Sequence, residues 1–481
     1  MSKAKLFIEN ILIYGLGSII SKLVPLLMLP VVTRLMPGTA YFGLSDLANT
    51  GVQFGSAAAL VGMYDAMYRL FFDKDDPKFK KQVCSTAFCF TVLNSILISV
   101  LMVIFKTQIA KLFLRDVQYE YLVYIMAATT LVSATNSIIA APTRMQNKRK
   151  VFLITNTLSP LISYSISIPI ILAGHYVIAL PLAGLIAGGT MELIFLVLNH
   201  SWFKVSEIRK SLLKPLLVIA VPLFPNFLIY WVFNSCDKVM ITNLISVDAA
   251  GIYSVGSKLG HASQLIYTAF ASGWQFFAFA TMKEKDQVGT NSKIFEYLGV
   301  LSFASTAFVC AISYLFFQIV FPEQYLNGYI TSPYLFLAPL LQMLFQVAGN
   351  QFLVVKKTWP NMFILLSGAI SNIAINFALI PKLGIEGASI ATLIGYLISD
   401  VICVIVLCKM KLMVISKRFI LVTLMMILFF VVWRLAFSTE LLIGIGVAVL
   451  LTLGYILLYR KELKVVVEKL KGKMNFKKAS G

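Results

Sequence analysis

The sequence has 481 residues, of which 59% are hydrophobic and only 13% are charged. A soluble domain carries about 25% charged residues, so a chain this apolar and this long needs lipid as part of its solvent. The net charge of +20 does not indicate nucleic-acid binding, because the basic residues lie in short loops between apolar runs, as in cytoplasmic loops of membrane proteins.

Apolar runs of about twenty residues or more predict transmembrane helices, whereas the strands of a barrel would alternate over about ten residues. The sequence therefore predicts an all-α polytopic membrane protein with about fourteen spans. The predicted spans are 9–35, 40–70, 80–105, 118–141, 151–173, 176–199, 212–236, 248–279, 294–321, 331–355, 358–380, 387–408, 415–437 and 440–459.

The placement of basic residues predicts how the chain is oriented. With the N-terminus inside, Lys and Arg concentrate in the inside loops and in the C-terminal tail, and the positive-inside rule is obeyed. An even number of spans then places both termini in the cytoplasm, in a multi-pass protein of the cytoplasmic (inner) membrane. The basic start of the chain is interpreted as part of a retained first span, since no small-residue cleavage site follows it.

The chain shows weak internal similarity between two halves. Residues 33–44, which join spans 1 and 2, resemble residues 242–252, which join spans 7 and 8, at an offset of 208–209. Six spans per half is an even number, so both halves have the same orientation, and such repeats place a substrate site between them. The predicted units are an N-lobe (1–205, spans 1–6), a C-lobe (206–410, spans 7–12), spans 13–14 (411–460) and a basic cytoplasmic tail (461–481).

Polar residues recur at helical spacing in spans 1, 2, 7 and 8, and these four stripes predict a hydrated central cavity. The predicted lining residues are Asn10, Tyr14, Ser18, Asp46, Asn49, Gln53, Asn226, Tyr230, Asn234, Asp237, Tyr253, Ser257, His261 and Gln264.

Lys22 and Lys258 lie deep in spans 1 and 8, where snorkelling to the interface is difficult, and a cationic cavity predicts an anionic substrate. Arg34 either joins this cationic set, meets Asp46, or anchors at the headgroups. Glu192 and Asp400 lie 208 residues apart in the last spans of their halves. They are candidate coupling acids, and hydrogen bonding between helices is an equal alternative.

Several segments resemble polysaccharide-biosynthesis membrane proteins. They are PLFPNFLIYWVFNSCDKVMI at 222–241, AGIYSVGSKL at 250–259 and PKLGIEGASIATLIGYLIS at 381–399. The chain resembles the multidrug/oligosaccharidyl-lipid/polysaccharide exporter superfamily, and within it the O-antigen and capsule repeat-unit flippases of the Wzx type. The lipid II flippase is a more distant relative.

The resemblance implies a substrate and a mechanism. The substrate is an oligosaccharide on polyprenyl diphosphate, moved from the inner to the outer leaflet by alternating access between two six-helix lobes. Lys22 and Lys258 match family positions that hold the diphosphate, although as Lys rather than Arg they offer charge without a bidentate fork. The resemblance implies no enzymatic activity and no cofactor, with coupling to Na⁺, H⁺ or the membrane potential. Its implied partners are membrane lipids and the polysaccharide polymerase and chain-length machinery.

Two alternatives remain. A cation-coupled multidrug antiporter of the same superfamily would favour an acidic cavity, for which Asp46 and Asp237 are the candidates. A membrane glycosyl polymerase or ligase would need a large outside loop with catalytic residues, and no predicted outside loop is long.

Overall fold

The structure is a computed structural model that describes residues 21–282, 284–357 and 359–462. Within these residues the chain forms helices joined by short turns and contains no β-strand, which confirms the predicted all-α fold. Eleven helical segments are long and apolar enough to cross a membrane. Large apolar side chains cover their outward faces, and Leu435 and Leu442 are 81% and 83% exposed. In a membrane, lipid covers such side chains.

The helices of the first half, which we call the N-lobe, follow the predicted spans 1–6 closely. They are α1 (21–35), α2 (Thr39–Leu60), α3 (Met63–Phe71), α4 (Pro77–Ile104), the short α5 (Lys106–Ile109), α6 (Glu120–Met145), α7 (Arg149–Leu172) and α8 (Tyr176–Asn199).

The helices of the second half, which we call the C-lobe, follow spans 7–12, and two more helices follow them. They are α9 (Lys210–Ala220), α10 (Phe224–Trp231), α11 (Asp237–Leu244), α12 (Val247–Gly260), α13 (Gln264–Ala280), α14 (Gln287–Val320), α15 (Thr331–Val354), α16 (Trp359–Leu383), α17 (Ile385–Lys409), α18 (Lys417–Val432) and α19 (Leu441–Leu458).

Three predicted spans fall outside the eleven candidates, so the number fourteen remains a prediction. Span 1 begins before the described residues. Span 2 is divided into α2 and α3 at Val61 and Gly62, which both have positive φ angles (49° and 79°). Span 8 is divided into α12 and α13 by a 3₁₀ turn, His261–Ser263. These three spans carry polar stripes, which lowers their hydropathy and is consistent with their lining a cavity rather than facing lipid only.

Span 7 is the most irregular helix of the C-lobe. A 3₁₀ turn at Val221–Leu223 contains Pro222, and a π-helical turn follows at Val232–Cys236. Proline removes a backbone donor and interrupts an α-helix at this point. The part of span 7 before the interruption, α9, packs against α3 and α4 of the N-lobe rather than within the C-lobe.

The two lobes meet directly where α2 packs against α12. A Cβ added to Gly43 would lie 2.6 Å from the Val247 carbonyl oxygen, and one added to Gly251 would lie 2.1 Å from the Thr39 carbonyl oxygen. Positions 43 and 251 are equivalent in the predicted repeat, and so are positions 39 and 247. The contact is therefore reciprocal, as at an interface with two-fold symmetry. Glycine is required at both positions because only backbone fits.

Polar contacts between the lobes cluster at one end of the molecule. The Asp248 carboxylate accepts hydrogen bonds from the Thr39 hydroxyl at 2.7 Å and from the Ala40 amide at 3.1 Å, and so caps α2 from the opposite lobe. Arg115 donates to the carbonyl oxygens of Thr242 and Ile245, and Asn243 donates to that of Leu112. All these residues lie in or beside segments that the charge pattern places outside.

The last two helices pack against the C-lobe through buried polar anchors. Glu296 of α14 accepts hydrogen bonds from the Ser416 amide and hydroxyl, at the start of α18, and from the Tyr459 hydroxyl. Arg434, beyond α18, pairs with Glu386 of α17 at 2.7 Å.

Candidate functional site

A buried carboxylate at the interface of the lobes holds two lysines. Asp46 of α2 has a side chain only 2% exposed, and its oxygens lie 2.7 Å from Lys238 Nζ and 2.9 Å from Lys258 Nζ. Asp46 belongs to the N-lobe, whereas both lysines belong to the C-lobe. A buried charge requires a partner, so these ion pairs hold the lobes together at this level.

Lys258 is the more accessible of the two lysines. Its side chain is 42% exposed, compared with 13% for Lys238, and its ammonium lies 4.5 Å from the centre of the Phe42 ring. Lys258 also borders a cavity of about 480 Å³, which we call cavity A. The ammonium group of Lys258 is therefore accessible to a ligand in that cavity.

Cavity A lies mainly within the N-lobe. Its lining comes from α1, α2, α6, α7 and α8, with Lys258 as the contribution of the C-lobe. Asp46 and Asn49, which belong to the predicted polar stripe of span 2, line it, and so do Ser21 and Pro25 of α1. Uncharged hydroxyl and amide groups, such as Ser159 and Asn156, supply most of the remaining polar surface.

A second cavity of about 530 Å³, cavity B, lies toward the opposite end of the N-lobe from the contact between α2 and α12, and Phe227 of α10 also borders it. Its polar lining includes Asp65 and Arg144, and Asn156 and Ser159 line both cavities. A third cavity of about 460 Å³, cavity C, belongs to the C-lobe. Cavity C is lined by Tyr230, Asn234, His261, Gln264, Tyr267 and Gln342.

Asp237 lies in the interior of the C-lobe and lines none of these three cavities. It is 2% exposed, and its carboxylate accepts hydrogen bonds from the Tyr253 hydroxyl at 2.8 Å and the Asn376 amide at 2.6 Å. The Thr392 hydroxyl and, at 3.5 Å, the Asn372 amide complete the cage. These donors replace water around a carboxylate that has no ion-pair partner among the described residues.

The two candidate coupling acids have different surroundings despite their equivalent positions. Glu192 is half-buried and accepts a hydrogen bond from the Thr135 hydroxyl at 2.5 Å. Asp400 is 5% exposed, and neither carboxyl oxygen has a hydrogen-bond partner in the described part of the chain. An ionised carboxylate without a hydrogen-bond or ion-pair partner is unfavourable in such an environment.

The remaining predicted residues are dispersed. Lys22 is exposed on α1 and lines none of the three cavities. Arg34 donates to the Ile319 carbonyl oxygen at 3.1 Å and does not reach Asp46. Ser257 is buried and donates to a backbone carbonyl within α12. Gln53 and Asn226 lie in α2 and α10 and line none of the three cavities, and Asn10, Tyr14 and Ser18 lie outside the described residues.

Sequence reasoning missed several residues. Lys238 lies just beyond predicted span 7 and is not in the predicted cationic set, because nothing in its own helix indicates that Asp46 faces it. Asn372 and Asn376 are spaced four apart in an apolar run, and this signal for one polar helix face was available. Gln342 of cavity C gave no comparable signal. Across residues 21–282, 284–357 and 359–462, no group of three or more His, Cys, Asp or Glu side chains could hold a metal ion.

Comparisons with known proteins assign the fold and the family. A family model described as "Polysaccharide biosynthesis protein" matches residues 31–329. No curated protein matches the sequence significantly. Solved structures that match include the lipid II flippase MurJ in an inward closed conformation, with a TM-score of 0.69, 16% identity, and coverage of 94% of this chain and 100% of that chain.

An inward-facing multidrug resistance transporter of the MATE family, in the MOP superfamily, matches with a TM-score of 0.63, 13% identity, and coverage of 85% of this chain and 98% of that chain. A MOP-superfamily transporter from Pyrococcus furiosus, described as having a binding pocket of reverse polarity, matches with a TM-score of 0.58, 14% identity, and coverage of 84% and 95%. These relatives are a flippase and transporters rather than enzymes, in agreement with the predicted non-enzymatic class. The chain is a multi-pass membrane protein of the polysaccharide biosynthesis protein family, with the fold shared by the MurJ flippase and the MATE transporters.

Proposed function

We propose that the protein is a flippase that moves an oligosaccharide linked to polyprenyl diphosphate from the inner to the outer leaflet, for surface polysaccharide assembly. The observation that carries the proposal is the pairing of Lys238 and Lys258 with one buried carboxylate, Asp46, beside cavity A. Two ammonium groups against one carboxylate leave a net positive site. A positive site inside a membrane favours an anionic ligand.

The physical problem of flipping such a lipid supports the same substrate. A sugar headgroup cannot cross hydrocarbon unaided, because each hydroxyl stripped of water costs several kcal/mol. A cavity lined by amides and hydroxyls replaces that water, and lysines offset the diphosphate charge. The structurally similar protein MurJ is a lipid II flippase, which supports a lipid-linked substrate for this fold.

The ion pairs of Asp46 offer a route to alternating access. Asp46 pairs with Lys238 and Lys258 only while the lobes are in contact at this level. A diphosphate at Lys258 competes with Asp46 for the same ammonium groups. We therefore expect substrate binding to loosen the contact between α2 and α12 and to favour opening at the outer end.

A multidrug antiporter is the second candidate, and the surroundings of its two candidate acids count against it. Asp46 is already neutralised by two lysines, and Asp237 is surrounded by hydroxyl and amide donors away from the three cavities. A cation carrier that used either of these two acids would need it to face its cavity without a fixed partner. The coupling ion and the partner polymerase and chain-length machinery remain proposals from the family resemblance, with Asp400 and Glu192 as candidate proton carriers.

The test is a pair of lysine variants in a host whose surface polysaccharide depends on this protein. Lys22→Ala and Lys258→Ala should each abolish surface polysaccharide while the protein remains in the membrane. Lys382→Ala is the matched control, because Lys382 is an exposed lysine of the predicted outside loop before α17 and belongs to none of the polar stripes predicted to line the cavity. Normal polysaccharide in both test variants would exclude the cationic site as the diphosphate site.

A further inference from the structure

Cavities A and B adjoin along α7, where they share the lining residues Asn156 and Ser159, and we refer to the two together as the trough. On α7, Phe152, Thr155, Asn156, Ser159 and Ser163 line one or both of them. Their spacing of three or four residues puts them on one face of the helix. From 152 to 163 this face extends about 16 Å, at 1.5 Å per residue. Helices α2, α6 and α8 also contribute to both cavities, so the same four helices border the trough along its length.

The middle of the trough is polar but uncharged. Asn156 and Ser159 are shared by the two cavities, and Asn136 and Ser163 flank them. The Asn136 Oδ1 atom is buried and has no hydrogen-bond partner in the described structure. A buried acceptor left unpaired is unfavourable, so this oxygen is suited to a ligand or water that donates a hydrogen bond. A polyprenyl tail could not satisfy these groups, whereas sugar hydroxyls can.

At the end of the trough furthest from Lys258, the charged side chains do not pair with one another, and an aromatic ring lies beside them. Asp65 has no hydrogen-bond or ion-pair partner among the described residues. Arg69, which lies four residues later on the same helix, pairs with Asp73. Arg144 lies 4.5 Å from the centre of the Phe152 ring. Carboxylate and guanidinium groups bind hydroxyls with several hydrogen bonds, and aromatic rings pack against the apolar faces of sugars.

We infer that this trough is the carbohydrate subsite of the transporter. The diphosphate lies at Lys258, the oligosaccharide follows the polar face of α7, and its distal sugar reaches Asp65 and Arg144. The inference rests on the proposed function, which places the diphosphate at the lysines. It adds that side chains of the N-lobe trough recognise the sugar, so residues such as Asn156 determine which oligosaccharide repeat unit the protein accepts.

The test compares binding of two probes to the full-length protein in lipid nanodiscs. One probe is polyprenyl diphosphate without sugar, and the other is the lipid-linked oligosaccharide extracted from membranes of the producing cell. Asn156→Leu should weaken binding of the sugar-bearing probe about tenfold and leave binding of the bare diphosphate unchanged. Thr157→Val is the matched control, because Thr157 is the next residue of α7, lines neither cavity, and donates to the Leu153 carbonyl oxygen.

The outcomes separate this inference from the proposed function. Equal weakening of both probes by Asn156→Leu, or weakening of neither, overturns the carbohydrate subsite. If the wild type binds both probes equally well, the sugar contributes nothing and the subsite is again excluded, while the diphosphate site stands. If the wild type binds neither probe, the proposed function itself fails. Where Asn156→Leu lowers the folded yield, Ser159→Ala removes one trough hydroxyl with little change in volume and is expected to weaken only the sugar-bearing probe.

Discussion

Replacing Asp46 by asparagine should weaken the contact between the lobes at the predicted outer end. Lys238 is 13% exposed and lies 2.7 Å from a carboxylate that is 2% exposed, so this is a buried pair. Removing one partner of a buried ion pair costs about 3–5 kcal/mol. Lys258 is 42% exposed, so solvent screens its pair, which contributes about 0–1 kcal/mol.

We assign about 3 kcal/mol to Asp46→Asn, the lower end of the range, because Lys238 retains some exposure. This corresponds to a shift of about 100-fold toward arrangements in which α2 and α12 separate. In such arrangements Lys238 and Lys258 are free to rotate into the cavity and be solvated.

Disulfide cross-linking measures the closed population. In a cysteine-free background, Thr39→Cys and Asp248→Cys place thiols at two side chains whose oxygens are 2.7 Å apart. Asp46→Asn in this background should lower the initial cross-linking rate about fivefold or more. Asp65→Asn is the matched control, since Asp65 lies in the same predicted span and has no ion-pair partner in the described residues.

A double-mutant cycle makes the test specific. Because Lys238→Gln removes the charge that Asp46→Asn leaves unpaired, the double variant should recover much of the cross-linking rate. Cross-linking of Asp46→Asn at the rate of the parent protein would refute the reasoning, and so would a double variant that behaves as the simple sum of the two single variants.

Two further predictions concern packing and buried acids. Gly251→Ala should slow the same cross-linking, because its Cβ would lie 2.1 Å from the Thr39 carbonyl oxygen, whereas Gly189→Ala should not, since nothing lies within 4 Å of its Cβ. Thermal denaturation should show that Asp237→Asn loses about 3 kcal/mol or more of stability, because the amide presents a donor to a cage of donors. Asp400→Asn should change stability by less than about 1 kcal/mol, since the carboxyl already lacks partners. Equal losses in the two acid variants would contradict the assigned environments.

The fold was largely predictable because lipid makes hydropathy and length strong signals. The predicted boundaries of spans 10, 11, 12 and 14 fall within three residues of α15, α16, α17 and α19, whereas α14 begins seven residues before predicted span 9. Breaks were less predictable. Pro222 is a sequence signal for the interruption of span 7. The division of span 2 at Val61 and Gly62 and the turn at His261, which follows Gly260, each have only a glycine as a signal.

The site was predictable in part, because a sequence pattern reports spacing along one helix and not the helix that faces it. Asp46 and Lys258 were both predicted as cavity residues, yet their pairing depends on the two-fold packing of α2 against α12. Lys238 was missed for the same reason, since it is adjacent to Asp237 in sequence but points to the other lobe. Asp237 follows the predicted polar stripe of span 7, but α16 and α17 cover it with donors.

The most direct measurement of the central proposal is transport in proteoliposomes loaded with the lipid-linked oligosaccharide from the producing cell. The headgroups that reach the opposite leaflet can be counted by their exposure to an impermeant sugar oxidant. The wild type and Lys382→Gln should move the lipid at equal rates, and Lys258→Gln and Lys238→Gln should each lower the initial rate about tenfold or more. Transport at the wild-type rate by the Lys238→Gln/Lys258→Gln double variant would contradict the proposal that these lysines hold the diphosphate.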